Sequence, residues 1–131
     1  MADESCCNHH DAKRLIDIGA CDLFNIKLGK SGGIFTALKI IEQAENAGIN
    51  MQIGGFLESR LGFTASAHLA LKSRNIQYFD FDTPLMLTED PVIGGITYGK
   101  NGEIVLPEIP GLGATVDLVF LKSLKKAVIQ T

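Results

Sequence analysis

Residues 22–54 read DLFNIKLGKSGGIFTALKIIEQAENAGINMQIG. The run from Asp22 to Leu28 has the short apolar character of a strand buried on both faces or pointing into a barrel. Gly29, Gly32 and Gly33 then turn the chain. From Ile34 to Ala47, Ile34, Leu38, Ile41 and Ala44 recur at helical spacing with polar residues opposite, which predicts an amphipathic helix. Gly48 stands where a left-handed residue closes a helix, and Asn50 to Gly54 begins a second strand. A helix joining two strands by such short returns carries the second strand back in the same direction, so the strands are parallel.

The same unit repeats outward. Leu61 to Lys72 reads as a helix and Ile76 to Asp82 as a third strand, so strand centres at Asn25, Gln52 and Phe79 recur about every 27 residues. Upstream, Asn8 to Ile18 reads as a helix, and Met1 to Glu4 as the tail of an earlier strand. Beyond Asp82 the repeat stops. Thr83 to Pro91 is a Pro-bounded loop, and Ile96 to Tyr98 and Glu103 to Leu106 flank Lys100-Asn101-Gly102, an Asn-Gly hairpin signal. Pro107 to Gly113 is irregular, and Asp117 to Ile129 reads as a terminal helix with Lys122, Lys125 and Lys126 outward. Residues 1–82 are therefore expected to hold the βα units, and residues 83–131 the loop, hairpin and helix of the same domain.

Composition narrows the function. The 131 residues are 46% hydrophobic and 21% charged, with a formal net charge of -3. That suffices for one domain with a core but falls short of the roughly 250 residues of a complete (β/α)8 barrel. No apolar run approaches the roughly 18 residues that span a bilayer, and no basic face is available for nucleic acid. A small-molecule substrate fits better. Three cysteines, Cys6 and Cys7 adjacent and Cys21 alone, do not make a disulfide framework. With an acidic start, Met1-Ala2-Asp3-Glu4, where an export signal would be basic, the expected compartment is the cytoplasm.

In parallel α/β folds the chemistry gathers at the C-terminal ends of strands. Asp3 and Glu4 carry hard oxygens suited to Mg2+, or simply a helix cap or solvated pair. Lys27 ends its strand on the same face as Asn25, and a lysine there, its pKa lowered by a nearby cation, serves as a general base. Gly55, Phe56, Leu57 and Glu58 form a strand end where glycine admits a ligand or a tight turn. Asp80 and Asp82 alternate with Phe79 and Phe81, and two such carboxylates invite an ammonium group or a metal. Two other signals weaken on inspection. Gly29-Lys30-Ser31 resembles the end of a phosphate-binding loop, but Phe24 stands where that pattern needs glycine. Cys6, Cys7, His9 and His10 lack the spaced pairs of a zinc site, and His68 lies in an apolar helix as a packed residue would.

Taken in order, Ala2-Asp3-Glu4-Ser5, Asn25-Ile26-Lys27-Leu28 before Gly32-Gly33, Gly54-Gly55-Phe56-Leu57-Glu58 and Asp80-Phe81-Asp82 resemble one family. It is the dipeptide epimerases, L-Ala-D/L-Glu epimerase-like enzymes in the muconate lactonizing branch of the enolase superfamily. Gly94-Gly95-Ile96-Thr97-Tyr98 and Pro110-Gly111-Leu112-Gly113 belong to the resemblance, which runs from Ala2 to about Asp117. It implies an α/β fold, the C-terminal part of a (β/α)7β TIM-like barrel with helices outside the parallel strands, plus a C-terminal hairpin and helix. It also implies Mg2+-dependent epimerisation of dipeptides, by 1,1-proton transfer at the α-carbon through an enediolate. Asp3 would then be the last Mg2+ ligand, Lys27 the acid/base on one face, and Asp80 and Asp82 the grip on the substrate ammonium. Gly55, Phe56 and Leu57 would line the pocket, with Glu4 and Glu58 nearby.

The family also uses two earlier metal-binding acids, a Lys-x-Lys strand and a capping domain, none of which precedes Met1. The chain is therefore expected to be inactive alone, and to need the missing N-terminal barrel half and capping domain or else to self-associate. Two other readings stand beside this one. One is another muconate-branch enzyme, a lactonizing enzyme or an o-succinylbenzoate synthase, against which Asp80 and Asp82 argue. The other is a non-catalytic module holding an anion at the helix after Ser31-Gly32-Gly33.

Overall fold

The computed structural model describes residues 1–127. Helix and strand alternate in the first part: α1 (His9–Asp17), β1 (Leu23–Lys27), α2 (Ile34–Asn46), β2 (Asn50–Gly54), α3 (Arg60–Ala70) and β3 (Ile76–Phe79). A 3-10 turn at Thr83–Met86 leads into β4 (Val92–Gly94), β5 (Thr97–Tyr98), β6 (Ile104–Val105), β7 (Ala114–Val116) and α4 (Leu118–Ser123). Strands β1, β2 and β3 form one parallel sheet in that order, with Lys27 level with Gly54. Ala2 extends it through a parallel bridge to Phe24 on the other side of β1. β4 pairs with β7 and β5 with β6, both antiparallel. Among the described residues no helix is long and apolar enough to cross a membrane.

The core lies between sheet and helices. Phe24 and Ile26 of β1, Met51 and Ile53 of β2, Ile40 and Ile41 of α2 and Phe63 of α3 are all fully buried. Each such side chain contributes about 1.5–3 kcal/mol. In α2 the buried positions are Ala37, Ile40, Ile41 and Ala44, so the inward stripe is rotated from the expected one. Ile34 is half exposed, while the small Ala37 and Ala44 let the helix lie close to the sheet. Asn8 caps α1 by accepting from the N–H groups of His10 and Asp11, a contact typically contributing about 1 kcal/mol.

Two further expectations change. The third strand ends at Phe79, not Asp82, and its alternation fails: Phe79 is 54% exposed, whereas Phe81 is 5% exposed and packs on Phe63 at 5.3 Å. The terminal helix stops at Ser123, where Leu124 takes an extended backbone. Its apolar residues Leu118, Val119 and Leu121 are exposed, and six residues without packing do not sustain a longer helix. The part of that expectation at Val128 and Ile129 lies outside the described residues. Pairing of β4 with β7 was not anticipated, because three-residue strands carry no readable alternation. It depends on Gly94 and Gly113, both left-handed, since a Cβ on Gly94 would collide with the Gly113 carbonyl.

Several side chains hold the later segments to the barrel units, among them Thr64, His68 and Tyr98. Arg60, at the start of α3, pairs with Asp90 and donates to the carbonyls of Val92, Gly94 and Ile96. Ile96 is thereby buried in the core, and its N–H donates to Thr64 Oγ1.

Candidate functional site

The bridge at Ala2 builds the site. Ala2 N–H donates to the Leu23 carbonyl and Asn25 N–H to the Ala2 carbonyl, both at 2.8 Å. That register sets Asp3 beside the inward-facing side chains of β1. Lys27 Nζ lies 2.9 Å from Asp3 Oδ2 and 3.3 Å from Glu4 Oε1. Lys30 reaches the same carboxylate from the turn after β1, its Nζ 2.7 Å from Asp3 Oδ1, 2.6 Å from the Asp3 carbonyl and 2.7 Å from the Asn25 carbonyl. Asn25 Nδ2 donates to Asp3 Oδ2 at 3.1 Å.

These contacts set the charges. Burial works against the Asp3 carboxylate, but the Lys30 and Lys27 hydrogen bonds outweigh it and hold the carboxyl below its ordinary range. Lys27 has the Asp3 carboxylate as its neighbour. The hydrogen bond to Asp3 raises its pKa, burial opposes this, and Glu4 adds to the rise. Glu4 itself is largely exposed.

The loop after β2 forms a second wall. Phe56 places its ring 5.0 Å from Lys27 Nζ, and its N–H donates to Glu58 Oε1 at 3.2 Å. Leu57 is exposed. Gly55 serves packing directly, since a Cβ there would come within 2.5 Å of Phe63 Cζ. Gly54 makes room for the neighbouring strand, because its added Cβ would lie 2.9 Å from Asn25 Oδ1. At the end of β3, Asp80 and Asp82 are exposed. Crowding by surrounding protein raises the Asp80 pKa first and the adjacent Asp82 adds to it, while Lys27 pulls it down.

The structure thus brings Asp3, Glu4, Lys27, Phe56, Glu58 and Asp80 to one end of the sheet. Sequence reasoning missed Lys30 and Asn25. In the sequence Asn25 shows only that it shares a face with Lys27, and Gly29-Lys30-Ser31 resembles a phosphate-binding loop, with no local signal that Lys30 meets Asp3. His68 is partly buried, with Nε2 3.1 Å from the Leu112 carbonyl. Cys6 is buried, which pushes its thiol up to about 11, and the rings of His9 and His10 lie 4.0 Å apart on α1. Among the described residues no three His, Cys, Asp or Glu side chains surround a common point.

Parallel βα units with ionisable groups at the C-terminal strand ends are the arrangement that α/β barrels use. The chain belongs to the enolase C-terminal domain-like family, whose model matches residues 1–119. Its fold is accordingly the C-terminal part of an enolase-superfamily barrel. It is 60% identical over 129 residues to the D-Ala-D/L-Ala epimerase of Cytophaga hutchinsonii, covering 98% of this chain and 35% of that protein. To the L-Ala-D/L-Glu epimerase of Bacillus subtilis it is 48% identical over 113 residues, 86% of this chain and 31% of that protein. Among solved structures, it matches the C. hutchinsonii dipeptide epimerase complexed with Mg and the dipeptide D-Ala-L-Val at a TM-score of 0.93 and 61% identity, covering 95% of this chain and 34% of that one. The chain spans about a third of the length of the curated relatives it matches.

Proposed function

We propose that the protein carrying this chain is an isomerase that epimerises dipeptides at the α-carbon of the C-terminal residue in an Mg2+-dependent reaction. The observation that carries this reading is the Asp3–Lys27 contact at 2.9 Å, a carboxylate and an ammonium facing each other at the mouth of the sheet. Asp3 fits Mg2+ as one ligand, a hard oxygen at a strand end, and the remaining ligands would have to come from outside the described residues. When bound, the cation would neutralise the charge that develops on the substrate carboxylate as its α-proton leaves.

The chain's own groups then have distinct tasks. Lys27 exchanges the α-proton on one face. Asp80 and Asp82 bind the substrate ammonium, for which two exposed neighbouring carboxylates are suited. Phe56, with Gly55 and Leu57, walls the pocket beside Lys27, and Glu58 holds the Phe56 backbone in place. Epimerisation needs a second base on the opposite face, so the 131 residues alone are expected to be inactive.

Proton NMR of an Ala-Val dipeptide in D2O tests the reading. The full-length protein should exchange the α-proton only with Mg2+ present, and Lys27→Ala should slow exchange by about 10²- to 10⁴-fold. Exchange without Mg2+, or undiminished in Lys27→Ala, would refute it. Binding of a free dipeptide but not of its N-acetyl derivative would separate this enzyme from muconate-branch relatives whose substrates lack an ammonium group.

A further inference from the structure

One hydroxyl ties the loop after β2 to the turn after β3. Thr83 Oγ1 donates to the Phe56 carbonyl at 2.9 Å and accepts from the Glu58 N–H at 3.2 Å. Since Phe56 N–H is already held by Glu58 Oε1, both backbone polar groups of Phe56 are engaged. Its ring lies beside Lys27 and against Gly29, where an added Cβ would meet Phe56 Cδ2 at 3.3 Å. On its other side Thr83 follows Asp82 and precedes Pro84, a buried residue whose ring fixes the backbone. Asp82 stands at the N-cap of this turn, and its side chain makes no capping bond there. Among the described residues, the side-chain hydrogen bonds joining residues 55–58 to residues 80–83 all pass through Thr83.

We infer that Thr83 is a positioning residue for substrate binding, setting the span between the Asp80/Asp82 carboxylates and the Phe56 wall over Lys27. A ligand read by this site must carry an ammonium group at one end and its reacting carbon a fixed short distance away, as a dipeptide with a free N-terminus does. The inference rests on the dipeptide reading above and deepens it. Thr83 touches no reacting atom and acts through Asp82 and Phe56. The position needs a group that donates and accepts at once. Serine keeps both functions, whereas valine keeps the shape and has neither.

The test uses the full-length protein with Mg2+ and an Ala-Val dipeptide. Thr83→Val is expected to raise KM about tenfold with kcat within about twofold, the scale of losing the two hydrogen bonds at Thr83 when only part of that loss acts on binding. Thr83→Ser should restore KM. An unchanged KM in Thr83→Val, or a Thr83→Ser protein as impaired as Thr83→Val, overturns the inference. A purely structural role would instead lower active yield and kcat while leaving KM in place.

Amide hydrogen exchange supplies a readout that needs no turnover. The Glu58 amide should exchange faster in Thr83→Val and at the wild-type rate in Thr83→Ser. Unchanged Glu58 exchange overturns the tie itself. A wild-type protein that turns over no dipeptide overturns the functional reading and the substrate half of this inference with it, while Glu58 exchange still decides whether Thr83 locks the two loops.

Discussion

The Lys30 ammonium lies 2.7 Å from Asp3 Oδ1, with its side chain 3% exposed, and satisfies its remaining donors on the carbonyls of Asp3 and Asn25. A buried ammonium is tolerated only when fully paired. Removing it takes the lysine partner from Asp3 Oδ1, while Oδ2 keeps Lys27 and Asn25 and the Asp3 carbonyl keeps the Cys6 N–H. Lys30→Met is therefore expected to cost about 1.5–3 kcal/mol of stability, the scale of lost hydrogen bonds to a charged group, read from urea denaturation. An unshifted midpoint would mean that the three contacts contribute nothing net.

The Asp3–Lys27 pair gives stability a pH dependence at both extremes. Asp3 is depressed below the ordinary value of 3.8, so its contribution is present above that value and is lost as pH falls through the native pKa. Lys27 is raised above 10.5, so its contribution is present below that value and is lost as pH rises through the native pKa. Thermal melts of the wild type and Asp3→Asn should diverge most near neutrality and converge at both ends. A constant gap between the two curves would contradict the pairing.

Asp80 carries the opposite sign. Its pKa is raised by crowding and by Asp82, so its charge works against the folded state above the native pKa. Asp80→Asn should melt slightly higher at neutral pH and bind a dipeptide less well in calorimetry. A lower melting temperature together with unchanged affinity would remove Asp80 from the ammonium site.

Gly55 is confined by Phe63, whose Cζ lies 2.5 Å from where a Cβ would stand. Gly55→Ala should cost about 1–3 kcal/mol through overpacking. Phe63→Leu in the same protein should return part of that cost, and a double-mutant cycle measures the coupling. Strict additivity would indicate that the loop yields elsewhere.

The isolated 131-residue chain is expected to associate. Among the described residues β3 pairs only with β2, and Tyr78 and Phe79 are 52% and 54% exposed. An unpaired strand edge beside exposed aromatic residues templates contact with another chain. Sedimentation velocity would show species above the monomer mass; a single monomeric boundary at micromolar concentration would overturn this.

The βα repeat was legible because it depends on local signals: helical spacing in Ile34 to Ala47, Gly48 at the helix end and apolar runs such as Asn50 to Gly54. Those signals name an element more firmly than they orient it. The α2 stripe came out turned toward Ala37 and Ile40, because alanine packs closely on a sheet without standing out as hydrophobic. The short strands β4 and β7 left no periodicity to read; they exist through the close approach of Gly94 and Gly113 and the grip of Arg60.

Of the candidate site, the sequence by itself determined which residue types were present and the order in which they recur. Asp3, Lys27, Gly55 to Glu58, and Asp80 with Asp82 stand at the ends of successive strand-forming runs. Only the tertiary structure decided which of them meet. The parallel bridge at Ala2 sets Asp3 against Lys27, so the lysine pairs with a carboxylate and its pKa rises. The turn after β1 folds Lys30 beneath that carboxylate, and Thr83 closes one loop on the next. Such contacts join residues about 25 positions apart, set by strand register and turn geometry, for which spacing along the chain carries no local signature.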